Sequence, residues 1–295
     1  MLTRVRRILG MIRFSHTLFA LPFALASALL AWHTKDEGFT WLELGGIVLC
    51  MVLARSAAMA FNRLADARLD ANNPRTAGRH LPSGQLTPAA VWLFTLACSL
   101  GFVAATFLFL AAVPANPWPA YLSVPVLLFI CGYSFAKRFT SLAHFWLGLA
   151  LMLAPLSAWI AIRGMTDLEM PLVLGLAVAF WVAGFDIIYA CQDADFDRRS
   201  GLRSVPARLG IAGALRLALL CHLAMLGCLL VFYWVARPYL GSIYLCGLGA
   251  VALLLLIEHY LVSPTNLDRV NQAFFHVNVV ISVGLLIIIW LQLAI

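Results

Sequence analysis

Apolar stretches of about 20 residues recur along the whole chain, and short polar segments separate them. A helix of that length crosses the hydrocarbon core of a bilayer. The pattern predicts nine transmembrane helices, at Ser15–Trp32, Trp41–Phe61, Pro88–Val113, Tyr121–Phe135, Leu142–Ile162, Met170–Ala190, Ala214–Val235, Tyr239–Val262 and Phe274–Ile295. The polar segments are too short to form another domain. We therefore expect one all-α integral membrane domain that covers residues 1–295.

The composition agrees with a membrane protein, since 63% of the residues are hydrophobic, 11% are charged and the mean hydropathy is +0.94. Most arginines and lysines lie before the first predicted helix or after the second, fourth, sixth and eighth. The opposite side holds only Lys35, Arg163 and Arg237. Under the positive-inside rule this distribution puts the N-terminus in the cytoplasm. The net charge of +7 is then a topology signal, and we expect no nucleic-acid partner because no basic stripe interleaved with aromatic residues occurs.

Six of the 13 acidic residues fall in two short strings on the predicted cytoplasmic side. The two polar rows in these strings are Asn62, Asp66 and Asp70, at positions i, i+4 and i+8, and Asp186, Asp193 and Asp197, at positions i, i+7 and i+11. On a helix each row would follow one face. Rows of carboxylates repel each other unless a cation separates them, and Mg²⁺ is usually held by one or two carboxylates together with phosphate oxygens. The rows therefore predict binding of a magnesium-diphosphate at a membrane surface.

The second predicted helix with its following loop is similar to the sixth with its loop, which fits a four-helix unit used twice with a ninth helix added. Each row could instead be a solvated helix end with Asp–Arg pairs, such as Arg63 with Asp66. Two rows on one side, each followed by arginines, favour the metal–diphosphate site. A transporter is the alternative from another class, but polar residues gathered at one mouth of the bundle disfavour it.

The motifs resemble the two aspartate-rich motifs of the intramembrane aromatic prenyltransferases of the UbiA type, a family typified by 4-hydroxybenzoate polyprenyltransferase. The resemblance is carried by Asn62-x-x-x-Asp66-x-x-x-Asp70, Asp186-x-x-Tyr189-x-x-Gln192-Asp193-x-x-x-Asp197, Arg55-Ser-Ala, Arg75-Thr-Ala-Gly-Arg79 and Tyr133-Ser-Phe-Ala-Lys137-Arg138. It implies nine helices around a central cavity, a Mg²⁺ cofactor and a bacterial plasma membrane. It also implies transfer of a polyprenyl group from its diphosphate to an aromatic acid in ubiquinone or menaquinone synthesis.

Two stretches of the sequence are most similar to one branch of that family. Arg55-Ser-Ala-Ala-Met-Ala-Phe-Asn62 and Phe185-Asp186-Ile-Ile-Tyr189 resemble members proposed to act in menaquinone synthesis through futalosine. The acceptor implied by the family as a whole is 4-hydroxybenzoate, and the one implied by the branch is 1,4-dihydroxy-6-naphthoate. Both molecules are hydroxylated aromatic acids, so the same chemistry is expected for either.

The resemblance and the chemistry of an allylic diphosphate together suggest a role for each candidate site residue. We expect Asp66, Asp70, Asp193 and Asp197 to bind the metal, Asn62, Arg75, Arg79, Lys137 and Arg138 to bind the diphosphate, Arg55, Tyr133, Asp186 and Gln192 to bind the acceptor, and Asp186, Tyr189 and Asp193 to take part in catalysis. Cations placed at the departing oxygens lower the barrier to diphosphate loss. The ring face of Tyr189 can stabilise the allylic cation, and Asp186 can accept a hydrogen bond from the phenol.

Arg55 lies seven residues before Asn62, two turns deeper in the membrane. A lone intramembrane arginine needs an anionic partner. That partner is either the carboxylate of the acceptor or a structural carboxylate on a neighbouring helix. Other polar residues are less informative: His16 could be a substrate contact or a helix cap, Asn278 is interpreted as an interhelical hydrogen bonder, and His144 stands in no motif.

Overall fold

The computed structural model describes residues 2–12 and 19–295, and every regular element within them is helical. The α-helices are α1 (Leu2–Met11), α2 (Leu21–His33), α3 (Trp41–Ala65), α4 (Ala67–Asn72), α5 (Pro88–Thr106), α6 (Trp118–Gly132), α7 (Ala136–Phe139), α8 (Ala143–Arg163), α9 (Glu169–Ala190), α10 (Ala194–Arg199), α11 (Val205–Val235), α12 (Ser242–Tyr260), α13 (Val270–Gln272) and α14 (Asn278–Ala294). Short 3₁₀ segments cover Phe107–Ala111, Tyr133–Phe135 and Cys191–Asp193, and a π-helical turn covers Ala273–Val277. The all-α prediction is confirmed.

Eight helical segments of the described chain are long and apolar enough to cross a bilayer. They correspond to the second through ninth predicted helices. The first predicted helix is represented by α2, which is apolar but only 13 residues long. Its predicted start at Ser15, and the candidate His16, lie outside the described residues. The count of nine membrane helices therefore stays a prediction.

Contacts within the chain define two compact units. The first consists of the described residues within Met1–Thr17 and Thr40–Phe135, and α3, α5 and α6 pack against one another in it. The second consists of those within Leu18–Phe39 and Ala136–Ile295, and its central helix α9 packs against α8 and α11. Helix α9 is the most buried of the eight spans. The prediction of a single domain stays a prediction.

Hydroxyl side chains set the start of three long helices. Thr40, Thr87 and Ser204 each precede a helix, and each side-chain oxygen accepts a hydrogen bond at 3.3 Å from the backbone N–H three residues later. Such caps satisfy one of the first N–H groups, which have no partner within the helix. Helix α11 thus begins at Val205 rather than at the predicted Ala214. The early turns form a separate segment because Gly210 has φ 70°, a conformation that interrupts the helix and favours glycine.

Polar side chains join three helices inside the second unit. The Trp181 indole N–H donates to Asn278 Oδ1 at 2.6 Å, and Asn278 Nδ2 donates to Glu258 Oε1 at 3.0 Å. These bonds connect α9, α14 and α12. Hydrogen bonds between helices hold membrane bundles together, where apolar burial alone gives little preference. The interpretation of Asn278 as an interhelical hydrogen bonder is confirmed.

Candidate active site

The first acidic row spans a bend at Asp66. Helix α3 ends at Ala65, Asp66 has φ −96° and ψ 4°, and α4 begins at Ala67. The Asp66 N–H still bonds the Asn62 carbonyl at 2.9 Å, and the Asp70 N–H bonds the Asp66 carbonyl at 2.8 Å. The helical spacing of the row is therefore kept. Helix α3 extends to Ala65, beyond the predicted end at Phe61, and Asp66 lies in the bridge region of backbone space, where many active-site residues lie.

The second row bends in the same way at Asp193. A 3₁₀ segment, Cys191–Asp193, follows α9, and Asp193 has φ −103° and ψ 4° before α10 begins. Each bend precedes a helix of six residues, and the fourth residue of that helix is a buried aspartate, Asp70 in α4 and Asp197 in α10. This likeness in backbone and sequence supports the four-helix repeat inferred from the sequence.

Asn62 connects the first bend to the segment around Tyr133. Its Nδ2 donates to Asp66 Oδ2 at 3.0 Å and to Ser134 Oγ at 3.4 Å. The rings of Phe61 and Phe135 also pack edge to face, 5.7 Å apart. The Asn62 amide nitrogen therefore orients the Asp66 carboxylate, and the segment that carries the half-buried Tyr133 is held beside α3.

Asp70 is neutralised by arginines of its own unit. Arg79 Nη1 lies 2.6 Å from Asp70 Oδ1 and 2.8 Å from Oδ2, and Arg63 Nη1 lies 3.7 Å from Oδ2. The alternative of Asp–Arg pairing is thus observed at this carboxylate. Arg79 makes no other side-chain hydrogen bond to a described residue, so its Nη2 and Nε remain available for phosphate oxygens. Arg75 is exposed in the same loop, where its N–H bonds Asn73 Oδ1.

Asp197 differs from Asp70, although both are the fourth residue of a short helix. Its side chain is buried, and Oδ2 has no hydrogen-bond partner among the described residues. A buried carboxylate without a counter-charge is costly. Asp193, one turn earlier, is also buried. The Asp197 carboxylate is therefore suited to bind a cation.

No group of three His, Cys, Asp or Glu side chains within residues 2–12 and 19–295 forms a ready-made metal cage. Mg²⁺ does not require one, because it usually keeps several waters and binds one or two carboxylates plus substrate phosphates. The unpartnered Asp197 oxygen fits that mode of binding. In the second unit the unpartnered Asp197 oxygen fits a metal ligand, whereas in the first unit Asp70 already has arginine partners. The roles of Asp66 and Asp193 as metal ligands stay predictions.

Asp186 pairs with a residue that stands in no sequence motif. His144 Nδ1, in the first turn of α8, lies 2.6 Å from Asp186 Oδ2 on α9. The histidine side chain is fully buried, while 15% of the aspartate side chain is exposed. This contact could not be predicted from the sequence, because 42 residues separate the partners and only the packing of α8 on α9 brings them together.

Tyr189 lies in the last turn of α9, and Gln192 lies in the 3₁₀ segment that follows it. The Tyr189 ring lies 4.4 Å from that of Phe274, and Gln192 Nε2 donates to the Tyr189 carbonyl at 3.2 Å. Both side chains are half-buried. Phe274 was not among the residues expected from the sequence, and it extends the aromatic surface around Tyr189.

The segment of Lys137 and Arg138 is tied to the loop after α10. The Arg203 N–H donates to the Lys137 carbonyl at 2.7 Å, and Arg203 Nη1 donates to the Phe139 carbonyl at 2.8 Å. The half-buried Lys137 side chain makes no hydrogen bond or ion pair with a described residue, and Arg138 is exposed. Arg203 therefore supports the loop, whereas the Lys137 ammonium is available to an anion.

Arg55 lies in the middle of α3, within a membrane-spanning segment. It is half-buried, and its guanidinium makes no hydrogen bond or ion pair with any described residue. A charge placed in this setting normally has a partner within the bundle. The structural carboxylate considered as an alternative is absent among the described residues.

The helical fold is that of a multi-pass membrane protein, and comparison with known sequences identifies it as a prenyltransferase. The model of the UbiA prenyltransferase family matches residues 20–280. The 4-hydroxybenzoate octaprenyltransferase of Vibrio parahaemolyticus is 31% identical over 90% of this chain and 94% of its own length. That of Methylobacillus flagellatus is 33% identical over 77% of this chain and 73% of its own length.

Solved structures support the same assignment. A UbiA homolog from Aeropyrum pernix, in its apo form, superposes with a TM-score of 0.81 at 32% identity, covering 95% of this chain and 97% of that one. A homolog from Archaeoglobus fulgidus bound to GPP and Mg²⁺ shares the fold, with a TM-score of 0.70 at 18% identity and coverage of 98% and 100%. The chain belongs to the UbiA prenyltransferase family. It is a multi-pass membrane prenyltransferase, and the resemblance inferred from its motifs is confirmed.

The unpartnered Asp197 carboxylate gives a test of metal binding that does not need turnover. Mg²⁺ with inorganic diphosphate should raise the melting temperature of the wild-type protein in detergent, because binding to the folded state stabilises it. Asp197→Asn should abolish most of this rise. It should also leave the metal-free protein at least as stable, because it removes a buried charge without a partner.

Asp195→Asn is the matched control, since the Asp195 side chain lies two residues earlier and is 83% exposed. Its melting temperature should respond to Mg²⁺ like that of the wild type. An unchanged Mg²⁺-dependent rise in Asp197→Asn would show that this carboxylate does not bind the metal.

Proposed function

We propose that the protein catalyses the Mg²⁺-dependent transfer of a polyprenyl group from its diphosphate to a ring carbon of 4-hydroxybenzoate. The observation that carries the choice of an aromatic acid is Arg55, an intramembrane guanidinium without a partner among the described residues. A planar carboxylate suits such a group, because arginine donates two parallel hydrogen bonds to it. The names of the curated relatives support 4-hydroxybenzoate as the acceptor.

In the proposed reaction the ring carbon beside the hydroxyl attacks C1 of the allylic donor. A carbon–carbon bond forms, and the bond between C1 and the diphosphate oxygen breaks with its electron pair on the leaving group. The ring carbon then loses its hydrogen as a proton, so that prenylated acid, diphosphate and one proton are the products. When bound, Mg²⁺ supplies positive charge for the departing oxygens.

The side chains of this chain bind and orient the two substrates in that proposal. Lys137 and the free nitrogens of Arg79 bind the phosphate oxygens, together with Arg75, Arg138 and Asn62. Positive charge held at the leaving group stabilises the transition state more than the ground state. The rings of Tyr133 and Tyr189 shield the allylic carbon from water and stabilise positive charge on it.

Two polar contacts are proposed for the acceptor. Arg55 binds its carboxylate, and the exposed part of Asp186 accepts a hydrogen bond from its hydroxyl. That bond raises the electron density of the ring carbons beside the hydroxyl. Gln192 fixes the backbone at Tyr189 and so contributes to the wall of the acceptor site.

The reaction should require a divalent cation and both acidic motifs. Asp66→Ala and Asp193→Ala should each lose at least 100-fold in kcat, because a missing ligand removes charge stabilisation of the leaving group, which contributes on the order of 3 kcal/mol.

The choice of acceptor is tested separately: membranes containing the protein, Mg²⁺ and a polyprenyl diphosphate are offered 4-hydroxybenzoate and 1,4-dihydroxy-6-naphthoate side by side.

Prenylated 4-hydroxybenzoate is the expected product, and the Asp195→Asn variant serves as the active control. If only the naphthoate were prenylated, the proposed acceptor would be wrong, and 1,4-dihydroxy-6-naphthoate, the acceptor of the futalosine branch, would replace it. Near wild-type rates in excess EDTA would contradict the requirement for a metal.

Arg55 should contribute to acceptor binding more than to donor binding. Arg55→Ala removes the partner of the acceptor carboxylate, so the KM for the acceptor should rise roughly 10- to 150-fold, from about 1.5–3 kcal/mol for a charge-assisted hydrogen bond. The KM for the donor should change little. Arg55→Lys should recover only part of the loss, since an ammonium cannot donate in the same bidentate way.

Arg216→Ala is the control, because Arg216 is exposed on α11 outside the proposed site. Measuring both KM values and the melting temperature separates substrate binding from structural damage. If Arg55→Ala impaired donor and acceptor equally and lowered the melting temperature, Arg55 would be a structural residue.

The mouth of the site is proposed to face the cytoplasm of a bacterial cell. The support is the arginine distribution, which follows the positive-inside rule. In a variant whose seven native cysteines are replaced, a cysteine at Glu37 should react with a membrane-impermeant thiol reagent added to intact cells. One at Asn72 should react only after the cells are opened.

Both positions are exposed in the structure, so burial does not explain a difference between them. They lie on either side of the membrane-spanning helix α3. The reverse labelling pattern would overturn the proposed orientation.

A further inference from the structure

The pair formed by His144 and Asp186 is fixed from a third side by the start of α11. The Val205 N–H points at His144 Nε2, at a distance of 3.4 Å. Val205 follows the capping residue Ser204, so its N–H is among the first of the helix and has no acceptor within it. One imidazole ring thus connects α8, α9 and α11.

This arrangement determines which imidazole nitrogen carries the proton. Because Nε2 faces an N–H donor, it must be the nitrogen without hydrogen. In the neutral ring the proton then resides on Nδ1, which donates to Asp186 Oδ2 at 2.6 Å. Asp186 is therefore the acceptor in this pair and can keep its negative charge while one of its oxygens is held in place.

The other carboxylate oxygen is available. Asp186 Oδ1 has no hydrogen-bond partner among the described residues, and the side chain is partly exposed, while His144 is fully buried. The histidine cannot reach a ligand itself. A fixed Oδ2 restricts rotation of the carboxylate and so determines the direction in which Oδ1 accepts a hydrogen bond.

We propose that His144 is a positioning residue that orients Asp186 to accept a hydrogen bond from the hydroxyl of the aromatic acceptor. The inference rests on the proposed function and extends it to a residue outside the aspartate-rich motifs. The benefit is orientational: a carboxylate that is already held in the productive direction loses less rotational freedom when the acceptor binds. The ring carbon beside the hydroxyl is then presented to the donor in one orientation.

Three variants separate positioning from packing. His144→Leu keeps an apolar volume but leaves Asp186 without its donor. His144→Asn can place an amide N–H near the position of Nδ1, so the bond to Asp186 can form again. Asp186→Asn, alone and combined with His144→Leu, shows whether the histidine acts through the aspartate. His259→Asn is the control, because His259 pairs with His222 and not with Asp186.

The measurements are kcat and both KM values, together with the melting temperature in detergent. We expect His144→Leu to lower kcat/KM for the acceptor roughly 10-fold or more and to change the KM for the donor less than about 2-fold. His144→Asn should recover at least half of the loss on a logarithmic scale. In the Asp186→Asn background, His144→Leu should cause little further loss, because residues that act as a unit are not additive.

Equal losses for donor and acceptor, a His144→Asn variant no better than His144→Leu, or additive effects with Asp186→Asn would each overturn the inference. A loss in the His259→Asn control as large as in His144→Leu would overturn it as well. Failure of the proposed function gives a different result, since the wild-type protein would then prenylate neither aromatic acid. In that case the rise in melting temperature on adding 4-hydroxybenzoate is compared between the wild type and His144→Leu, and an equal rise in both also counts against the inference.

Discussion

The cost of charge in a hydrocarbon environment decides where this protein can keep ionisable side chains. Asp70 is held by Arg79 and Arg63, and Asp186 is held by His144. Each of these pairs lies within one compact unit and has the short distances that make burial tolerable. The architecture around the acidic motifs therefore follows from the need to provide each charge with a partner.

Two of the charged groups that depart from this pattern among the described residues are Arg55 and Asp197. Arg55 has no partner, and Asp197 has an oxygen without one. The first is a cation deep in a membrane helix and the second is a buried anion at the end of another. In the proposed reaction, the anionic acceptor is the partner of Arg55 and the divalent cation is the partner of Asp197. Arg55 is positive and Asp197 is negative, and the proposed reaction brings an anion and a cation into the protein.

Spacing along the chain was enough to predict eight of the long apolar helices, because they depend on local periodicity. It could not predict the bends at Asp66 and Asp193; at Asp66 the backbone hydrogen bonds keep the helical spacing of the row, so the spacing contains no sign of the bend. Nor could it predict the role of His144, whose partner is 42 residues away. Arg79 was expected to bind diphosphate, but the structure places it on Asp70, where its remaining nitrogens can still reach a phosphate.

The tie between Arg203 and the segment after α6 affects how this enzyme can be recombined with its relatives. The backbone and side chain of Arg203 bond two carbonyls within residues 137–139. Arg208 adds a contact with the Ser141 hydroxyl at 3.3 Å. The two loops therefore support each other although more than 50 residues separate them in sequence. A chimaera that imports residues 136–141 from another family member would need residues 198–208 from the same donor, so that the two loops are exchanged as one cassette.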